Sequence, residues 1–364
     1  MTDLIALIRA EAPEAEARRA LTEPVVAAIV DGGLHRLVSP KRYGGAEMGL
    51  PEWSRTIQEL SRADGSTGWT VMTTCISAAL AWYLRAEGAD EVFADPRAVI
   101  AGTAAPVGRG EVAPDGYVIS GRWGWGSATP HSQWIIGSAL TPDGPRMAVY
   151  RRSEVEIHDT WDAAGLCATG SHEFSVSDVF VPGHRAVWPA TDAPGIDGPI
   201  PAFPYFGFLA VGVASVGLGI ARRAVDEIEA LALAKTPQHT TTRLAEQTGA
   251  QIDVALAEAR LSSARAFLRE ELERCWELAV SGQQVPAEPR GRLRLACSHA
   301  AAEATEVTRT AFALGGGSAV FASSGLQRCL RDAAVAAQHT IVSRRLFETY
   351  AKVRFGFGPD TARF

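Results

Sequence analysis

The chain has 364 residues, of which 47% are hydrophobic and 21% are charged, with a formal net charge of −6 at pH 7. This is the composition of an ordinary globular protein long enough to bury a large core, and its mildly acidic balance argues against a nucleic-acid-binding surface. The five cysteines form no CxxC pair and the first residues form no signal peptide, so we expect a reduced, cytoplasmic protein.

Residues 1–98 are predicted to form an N-terminal helical domain. Near its start, apolar residues recur at three- and four-residue spacing, as on the buried face of a helix. A turn-rich break at 40–45 precedes a helix that begins near Pro51, where proline is favoured in a first helical turn. A second, largely apolar helix is expected over 66–84.

Residues 99–190 are predicted to form a middle β domain. Short runs rich in β-branched and aromatic residues are separated by Pro-Asp-Gly and Pro-Gly turn signals, a pattern typical of an antiparallel sandwich or barrel. The runs lie at 117–120, 134–138, 147–150, 155–157 and 173–176.

Residues 200–354 return to long helices, and residues 355–364 are expected to be a tail. A proline-rich linker at 190–204 precedes the helices. The apolar run at 206–221 is shorter than a membrane span and continues into charged residues, so we expect a buried helix and no membrane association. Four helices at these spacings predict a C-terminal four-helix bundle: 206–231, 251–279, 292–314 and 327–353.

The predicted fold class is α+β, and no motif in the chain performs chemistry by itself. The sequence contains no HExxH or CxxC pattern, no P-loop and no GxGxxG after a strand, so we predict neither a metal site nor a Rossmann dinucleotide site. If the chain is an enzyme, a bound cofactor is the economical source of its chemistry. The crevice where the three units meet is the place to expect a ligand.

Four motifs, in chain order, resemble those of the acyl-CoA dehydrogenase superfamily. They are YGG at 43–45, ADGSTGW at 63–69, ISGRWGWGS at 119–127 and GGGSAVFASSGLQR at 315–328. The resemblance spans about residues 25–350 and is closest to the two-component flavin-dependent monooxygenases. Members of that branch oxygenate aromatic compounds, amino sugars or sulfur heterocycles with reduced flavin from a separate reductase.

The resemblance implies a fold and a set of site residues. The fold is acyl-CoA dehydrogenase-like: an N-terminal helical domain, a middle β-barrel or sandwich and a C-terminal four-helix bundle, assembled as a homotetramer. The cofactor is FAD or FMN, with O2 as co-substrate. By resemblance, Ser127 lies near the flavin N5 and His339 near the flavin C4a. Further residues are implied for cofactor and substrate binding: Thr103, Trp125, Gly315, Gly316 and Gly317 for the flavin, with Trp69, Met72 and Phe206 for a small-molecule substrate.

Structural alternatives stand beside these roles. Buried tryptophans are usually packing residues, a glycine loop between helices is often a helix C-cap, and His339 could be an ordinary helical histidine. The aromatic residues assigned to the substrate could be plain core.

The segment around His339 decides between two reactions. Many dehydrogenases of the superfamily place a catalytic Glu after the helix that carries Arg331 and Asp332, and the equivalent position is about Thr340, which cannot act as a base. The nearest later carboxylate is Glu348. We therefore expect a monooxygenase that works through a flavin–oxygen adduct stabilised by Ser127 and His339. The alternative is a dehydrogenase, oxidase or hybrid oxygenase acting on an acyl-CoA thioester, and a third reading is a flavin-free scaffold.

Overall fold

Five helices precede the first strand in the computed structural model, which describes residues 2–357. The side chain of Asp64 accepts a 2.8 Å hydrogen bond from Thr67 N and so caps the fourth helix. This helix ends at Ala78, earlier than the sequence predicts, and a 3-10 turn continues it to Trp82. The helices are α1 (Thr2–Arg18), α2 (Glu23–Asp31), α3 (Leu50–Ala63), α4 (Gly65–Ala78) and α5 (Ala86–Val92).

The middle of the chain forms one seven-stranded sheet in the order β5-β6-β2-β1-β3-β4-β7. Strands β1 and β3 pair in parallel, so the sheet is mixed and not wholly antiparallel as expected. The difference arises because β3 returns to the far side of β1, and residue patterns within single strands carry no information on this crossover. The strands are β1 (Ile100–Ala113), β2 (Gly116–Gly126), β3 (Trp134–Thr141), β4 (Gly144–Arg151), β5 (Glu156–His158), β6 (His172–Pro182) and β7 (Ala186–Val187).

The sheet curls around its own apolar core. The buried Trp123 of β2 stacks on Phe174 of β6 at a ring-centroid distance of 5.1 Å. The same ring lies 6.1 Å from Tyr150 of β4, although two strands separate β2 from β4 in the sheet. A flat sheet could not bring these two rings together, so the middle unit is barrel-like, as the sequence predicts.

The C-terminal part is a helical bundle. Its central helix α7 is long and apolar enough to cross a membrane, but 83% of its most apolar stretch is buried inside the protein. That burial makes it the core helix of the bundle, packed against α3 and α9. The helices are α6 (Pro199–Ala202), α7 (Tyr205–Ala234), α8 (Thr248–Val280), α9 (Ala287–Gly315), α10 (Gly325–Ala336) and α11 (Arg345–Arg354).

The segment expected as one helix over 327–353 is broken in the middle. Helix α10 ends at Ala336, α11 begins at Arg345, and a single 3-10 turn (Thr340–Val342) lies between them. Its three residues are all β-branched, a type that loses side-chain freedom in a helix. The side chain of His339 also accepts a hydrogen bond from Ile341 N, which gives the backbone a local alternative to the helix.

Candidate active site

Ser127 lies at the end of β2, where the strand meets β1. Gly102 and Ser127 form an isolated bridge, which also places Thr103, the next residue of β1, beside Ser127. A Cβ on Gly102 would come within 2.1 Å of the Ile136 carbonyl oxygen, and its φ is +134°. Glycine is therefore required there for the strands to approach closely.

A chain of hydroxyl groups leads away from Ser127. Its Oγ lies 2.8 Å from Ser171 Oγ, and Ser171 Oγ lies 2.7 Å from Thr169 Oγ1. The Thr169 hydroxyl donates a 2.8 Å hydrogen bond to the carbonyl oxygen of Leu166. We call Ser127, Ser171 and Thr169 the hydroxyl chain. All three residues are buried, so these hydrogen bonds replace water that cannot reach them.

Trp69 joins the hydroxyl chain to His339. The indole Nε1 donates a 3.0 Å hydrogen bond to Ser127 Oγ. The centroid of the Trp69 ring lies 5.9 Å from the centroid of the His339 ring. The structure thus brings together Ser127, Trp69 and His339, which the sequence analysis selected from three distant segments.

The imidazole of His339 is neutral and has a defined tautomer. Its Nδ1 accepts a 3.2 Å hydrogen bond from Ile341 N, so the ring proton is on Nε2. Burial, together with the positive charge of Arg294, lowers the pKa of His339 to about 4. Residue 339 is nevertheless exposed to solvent, so its Nε2–H is open to a ligand. We call the open space beside this ring the recess.

Arg294 of α9 fixes the turn that carries His339. Its side chain is 1% exposed, and its Nη2 donates a 2.7 Å hydrogen bond to the carbonyl oxygen of Ile341. Its Nη1 donates a 3.0 Å hydrogen bond to the carbonyl oxygen of Phe206, in the first turn of α7. One guanidinium therefore holds the turn that carries His339 and adds to the effect of burial in lowering its pKa.

One face of α4, which begins at Trp69, is partly open to solvent. Most of α4 is fully buried, but solvent partly reaches Thr73, Ile76 and Ser77. Together with Trp69 these residues lie at positions i, i+4, i+7 and i+8, which share one helix face. We call these four residues the α4 stripe. It has mixed aliphatic and hydroxyl character and begins at Trp69, whose ring lies beside that of His339.

The other residues predicted for the substrate lie differently. Met72 is buried between α4, α3 and α7, and a Cβ on Gly212 would lie 2.8 Å from its Cγ. Phe206 is half-buried and its ring lies 5.5 Å from that of Tyr205. Roles for Met72 and Phe206 in substrate binding stay predictions.

Trp125 projects from a bulge in β2, two residues before Ser127. The pairing of β2 with β6 shifts register between Trp123 and Gly126, and Trp125 has a φ of +59°. Its side chain is 73% exposed. An exposed indole held out by a strained backbone next to Ser127 is available to stack on a planar ligand.

The glycine loop lies at the opposite end of α10 from His339. Gly315 ends α9, Gly316 has a φ of +52°, and the ammonium of Lys235 donates a 2.7 Å hydrogen bond to the Gly315 carbonyl oxygen. The twelve residues of α10 span about 18 Å at 1.5 Å per residue. Within one chain, Gly315, Gly316 and Gly317 therefore stand apart from the recess, and their contact with a flavin stays a prediction.

Two buried carboxyl groups lie behind the hydroxyl chain. Asp332 Oδ1 accepts a 2.6 Å hydrogen bond from Leu166 N, and a Cβ on Gly65 would lie 2.9 Å from its Oδ2, which places it against the start of α4. Burial and the neighbouring carboxyl of Asp64 raise the pKa of Asp332 to about 7. Asp332 thereby anchors the loop that carries Thr169 and Ser171.

Sequence reasoning missed Thr169, Ser171 and Arg294. Small hydroxyl residues in a loop carry no distinguishing pattern, and Arg294 falls in an amphipathic helix where charged residues are expected on the outer face. Arg331-Asp332 was noticed only as a landmark for alignment. Its position is informative all the same, because the pair comes shortly after the last of the four family-like segments, which ends at residue 328.

Comparisons with known proteins agree with this geometry. Residues 6–93 match the model of the acyl-CoA dehydrogenase N-terminal domain, and residues 211–344 match that of an acyl-CoA dehydrogenase C-terminal domain. These two matches and the helix–sheet–bundle order define the protein as one with the acyl-CoA dehydrogenase fold.

Individual relatives refine this class. The chain is 36% identical over 358 residues to indole-3-acetate monooxygenase of Pseudomonas putida, covering 96% of this chain and 91% of that protein. It is 26% identical to the flavin-dependent monooxygenase oxygenase subunit HsaA of Rhodococcus jostii, covering 97% and 96%. The structure of XiaF from Streptomyces, solved with FADH2 and glycerol, superposes with a TM-score of 0.90 at 26% identity, covering 99% and 94%. The chain belongs to the flavin-dependent monooxygenase branch of the acyl-CoA dehydrogenase superfamily.

Proposed function

We propose that this protein is the oxygenase component of a two-component flavin-dependent monooxygenase that acts on a small aromatic substrate. The observation that carries the proposal is the neutral imidazole of His339, which lies against Trp69 and has its Nε2–H free among the described residues, while Trp69 in turn bonds to Ser127. Such a group donates a hydrogen bond from Nε2, and because its Nδ1 already accepts from Ile341 N it has no free basic nitrogen with which to abstract a proton from carbon as a carboxylate base does.

The residues present fit a flavin ring between the sheet and the bundle. Ser127 has a buried hydroxyl, Trp125 offers an exposed indole, and Nε2 of His339 has no protein partner within residues 2–357. They supply a polar contact for a ring nitrogen, a stacking surface and a hydrogen-bond donor. When bound, reduced FAD or FMN supplies two electrons to dioxygen, so that one oxygen atom enters the substrate and the other leaves as water.

The protein's own residues then have three tasks. Ser127 orients the ring, and the indole of Trp69 and the apolar part of the α4 stripe exclude water from it. The Nε2–H of His339 stays in place at neutral pH and donates a hydrogen bond to an oxygen atom in the recess. Burial, aided by the charge of Arg294, keeps that imidazole neutral, and Arg294 holds it in place through Ile341.

The dehydrogenase alternative lacks its base in this segment. Thr340 occupies the position of the catalytic Glu, and Glu348 lies on the exposed helix α11, where it forms an ion pair with Lys352 at 2.6 Å. That pairing lowers the pKa of Glu348, whereas a base that removes a proton from carbon needs a raised one. We therefore favour the monooxygenase over an acyl-CoA dehydrogenase.

The substrate class follows from the α4 stripe and from the relatives. A wall of aliphatic and hydroxyl side chains beside two aromatic rings suits a small planar molecule with one or two polar groups. Indole-3-acetate is the first compound to test, because the relative with 36% identity is an indole-3-acetate monooxygenase. Phenols such as hydroxyphenylacetate form the rest of the panel.

Partners and location form part of the proposal. The reduced flavin comes from a separate reductase, since the relative HsaA is described as an oxygenase subunit. We propose a cytoplasmic homotetramer in which a neighbouring chain supplies the glycine loop, because that loop stands at the far end of α10. Exposed apolar side chains on the bundle support a chain-to-chain contact there: Leu233, Ile252, Leu256, Val320 and Phe321.

The test uses the purified protein with photoreduced FMN or FAD, 18O2 and the substrate panel. We expect one 18O atom in the product, detected by mass spectrometry, and a four-chain assembly by light scattering. Anaerobic addition of acyl-CoA to the oxidised flavoprotein should leave the flavin spectrum unchanged. Bleaching of the flavin by acyl-CoA, or absence of labelled product from every substrate, would contradict the proposal.

A further inference from the structure

The hydroxyl chain affects how tightly the site binds the oxidised and the reduced form of the flavin. We propose that Thr169 and Ser171 fix Ser127 as a hydrogen-bond acceptor and so make the site selective for reduced over oxidised flavin. The inference rests on the proposed function only in requiring a flavin ring beside Ser127. It assigns a role in specificity to two residues that do not themselves touch the ring.

The positions of the hydroxyl protons follow from counting them. Three short contacts link four oxygens, from Leu166 O to Thr169 Oγ1, from Thr169 to Ser171 and from Ser171 to Ser127, at 2.8, 2.7 and 2.8 Å. Each contact at these distances needs one proton between the oxygens. Three hydroxyl protons are available, and the carbonyl at the end can only accept.

Only one arrangement satisfies all three contacts. Thr169 donates to the carbonyl of Leu166, so Ser171 must donate to Thr169, and Ser127 must donate to Ser171. If any of these hydroxyl groups donates in the opposite direction, two lone pairs face each other in a buried site. The protein is then destabilised by the free energy of an unsatisfied buried polar group. The proton of Ser127 is therefore directed away from the recess.

The remaining capacity of Ser127 is a lone pair. Its Oγ already accepts from the indole N–H of Trp69, and a hydroxyl oxygen has two acceptor positions. One acceptor position is left for a ligand. Ring nitrogen N5 of an isoalloxazine carries a hydrogen in the reduced form and only a lone pair in the oxidised form.

The two redox forms thus meet Ser127 differently. The reduced ring donates N5–H to the free lone pair of Ser127, whereas the oxidised ring places acceptor against acceptor. Since a buried hydrogen bond replaced by an unsatisfied pair typically shifts binding by about tenfold or more, we expect reduced flavin to bind at least tenfold more tightly. A reductase that delivers reduced flavin and takes back oxidised flavin requires this order of affinities.

The experiment compares dissociation constants of oxidised and reduced FMN and FAD under anaerobic conditions. In Thr169→Val, Ser171 loses its acceptor and turns its proton to Ser127, which frees the Ser127 proton for an oxidised N5. We expect the preference for reduced flavin to fall about tenfold, mainly through tighter binding of the oxidised form. A tenfold change equals a shift of about 30 mV in the midpoint potential of the bound flavin.

Matched variants separate this effect from damage to the fold. Ser171→Ala should lose the preference in the same way, and Thr169→Ser should keep it because the proton order is retained. Thr74→Val removes another buried hydroxyl, which donates to the Thr70 carbonyl within α4, and should leave the preference unchanged.

The outcomes distinguish this inference from the proposed function. A wild-type protein that binds neither redox form contradicts the proposed function itself. A wild-type protein that binds reduced flavin, with an unchanged preference in both Thr169→Val and Ser171→Ala, overturns the role of the hydroxyl chain and leaves the proposed function standing.

Discussion

The indole N–H of Trp69 donates to Ser127 Oγ across 3.0 Å, although 58 residues separate the two in the chain. This bond joins helix α4 to the end of strand β2, so the helical unit and the sheet meet at the residue assigned to the flavin. The same indole contacts His339 from the bundle. All three parts of the fold therefore converge on one side chain.

Replacing Trp69 with Phe keeps most of the ring and removes its N–H. Ser127 loses a donor and gains a second free lone pair, so its hydroxyl is less firmly oriented. We expect a loss of about 1 kcal/mol in stability and about fivefold weaker binding of reduced flavin, measured by anaerobic titration. Trp82→Phe is the control, because its N–H bonds to the Val38 carbonyl in the core of the helical unit. Equal effects of both variants on flavin affinity would contradict the role of Trp69.

Two substitutions of His339 separate its structural and chemical roles. Asn can still accept from Ile341 N, as a good capping residue does, but it loses the ring and its Nε2–H. His339→Asn should stay within about 0.5 kcal/mol of the parent in stability, yet form ten- to a hundredfold less product per reduced flavin consumed. The rest of the flavin should be oxidised without product.

The comparison variant is His339→Gln, whose longer side chain can place an amide N–H near the position of Nε2 but cannot form the same cap. We expect it to recover part of the coupling of flavin oxidation to product while losing about 1 kcal/mol of stability. Full coupling in His339→Asn would show that the imidazole takes no part in oxygenation.

Both burial and the positive charge of Arg294 affect the charge state of His339. Because burial and the guanidinium lower the pKa of His339 to about 4, the imidazole of the folded protein is neutral from pH 6 to pH 8 and its titration contributes no pH dependence to the activity there. The unfolded chain takes up this proton near the ordinary value of 6.5, so stability due to His339 falls as pH drops from 6.5 towards 4.

Removing the positive charge of Arg294 should raise the pKa of His339. In Arg294→Met we expect the His339 pKa to move towards 6.5, followed by NMR of 15N-labelled histidine with His339→Asn for assignment. Arg294→Lys keeps the charge and should keep the pKa low, even though it cannot hold both carbonyls. A pKa unchanged in the Met variant would show that burial alone keeps the imidazole neutral.

The raised pKa of Asp332 predicts that stability changes with pH in the opposite direction to the effect of His339. Its pKa is raised from 3.8 to about 7 in the folded protein, so the folded state holds a proton that the unfolded state releases, and stability falls as pH rises from about 4 to about 7. Asp332→Asn keeps the acceptor for Leu166 N. We expect it to be more stable than the parent by about 2 kcal/mol at pH 8, with a flatter pH profile in urea unfolding.

The control for this prediction is Asp197→Asn, at an exposed position. It should leave the pH profile as in the parent. A profile equally steep in Asp332→Asn would assign the pH dependence to another group, the first candidate being Asp64, whose pKa burial also raises.

The sequence alone led to the fold and to the three residues that converge in the site. Ser127, Trp69 and His339 were found because glycines, tryptophans and an isolated histidine stand in segments that resemble one family. The curled sheet was expected from its strand pattern. The parallel pairing of β1 and β3 was not, because pairing between distant strands leaves no mark on the residues of either one.

The remaining parts of the site depend on contacts that no local pattern encodes. Thr169 and Ser171 reach Ser127 by hydrogen bonds only because the loop after Leu166 folds back to it, although Ser127 and Ser171 are 44 residues apart in the chain. Arg294 acts on His339 through the carbonyl of Ile341, and its helix by itself predicts an outward-facing charge. The break between α10 and α11 was foreshadowed by Thr340-Ile341-Val342, a β-branched run within an expected helix.

The α4 stripe has a practical meaning for redesigning the enzyme. Eleven of the fourteen residues of α4 are locked into the interior, whereas Thr73, Ile76 and Ser77 border open space. A combinatorial library confined to these three codons would reshape the exposed face of α4 while leaving the scaffold intact, and new substrate ranges could be screened without a search for compensating mutations.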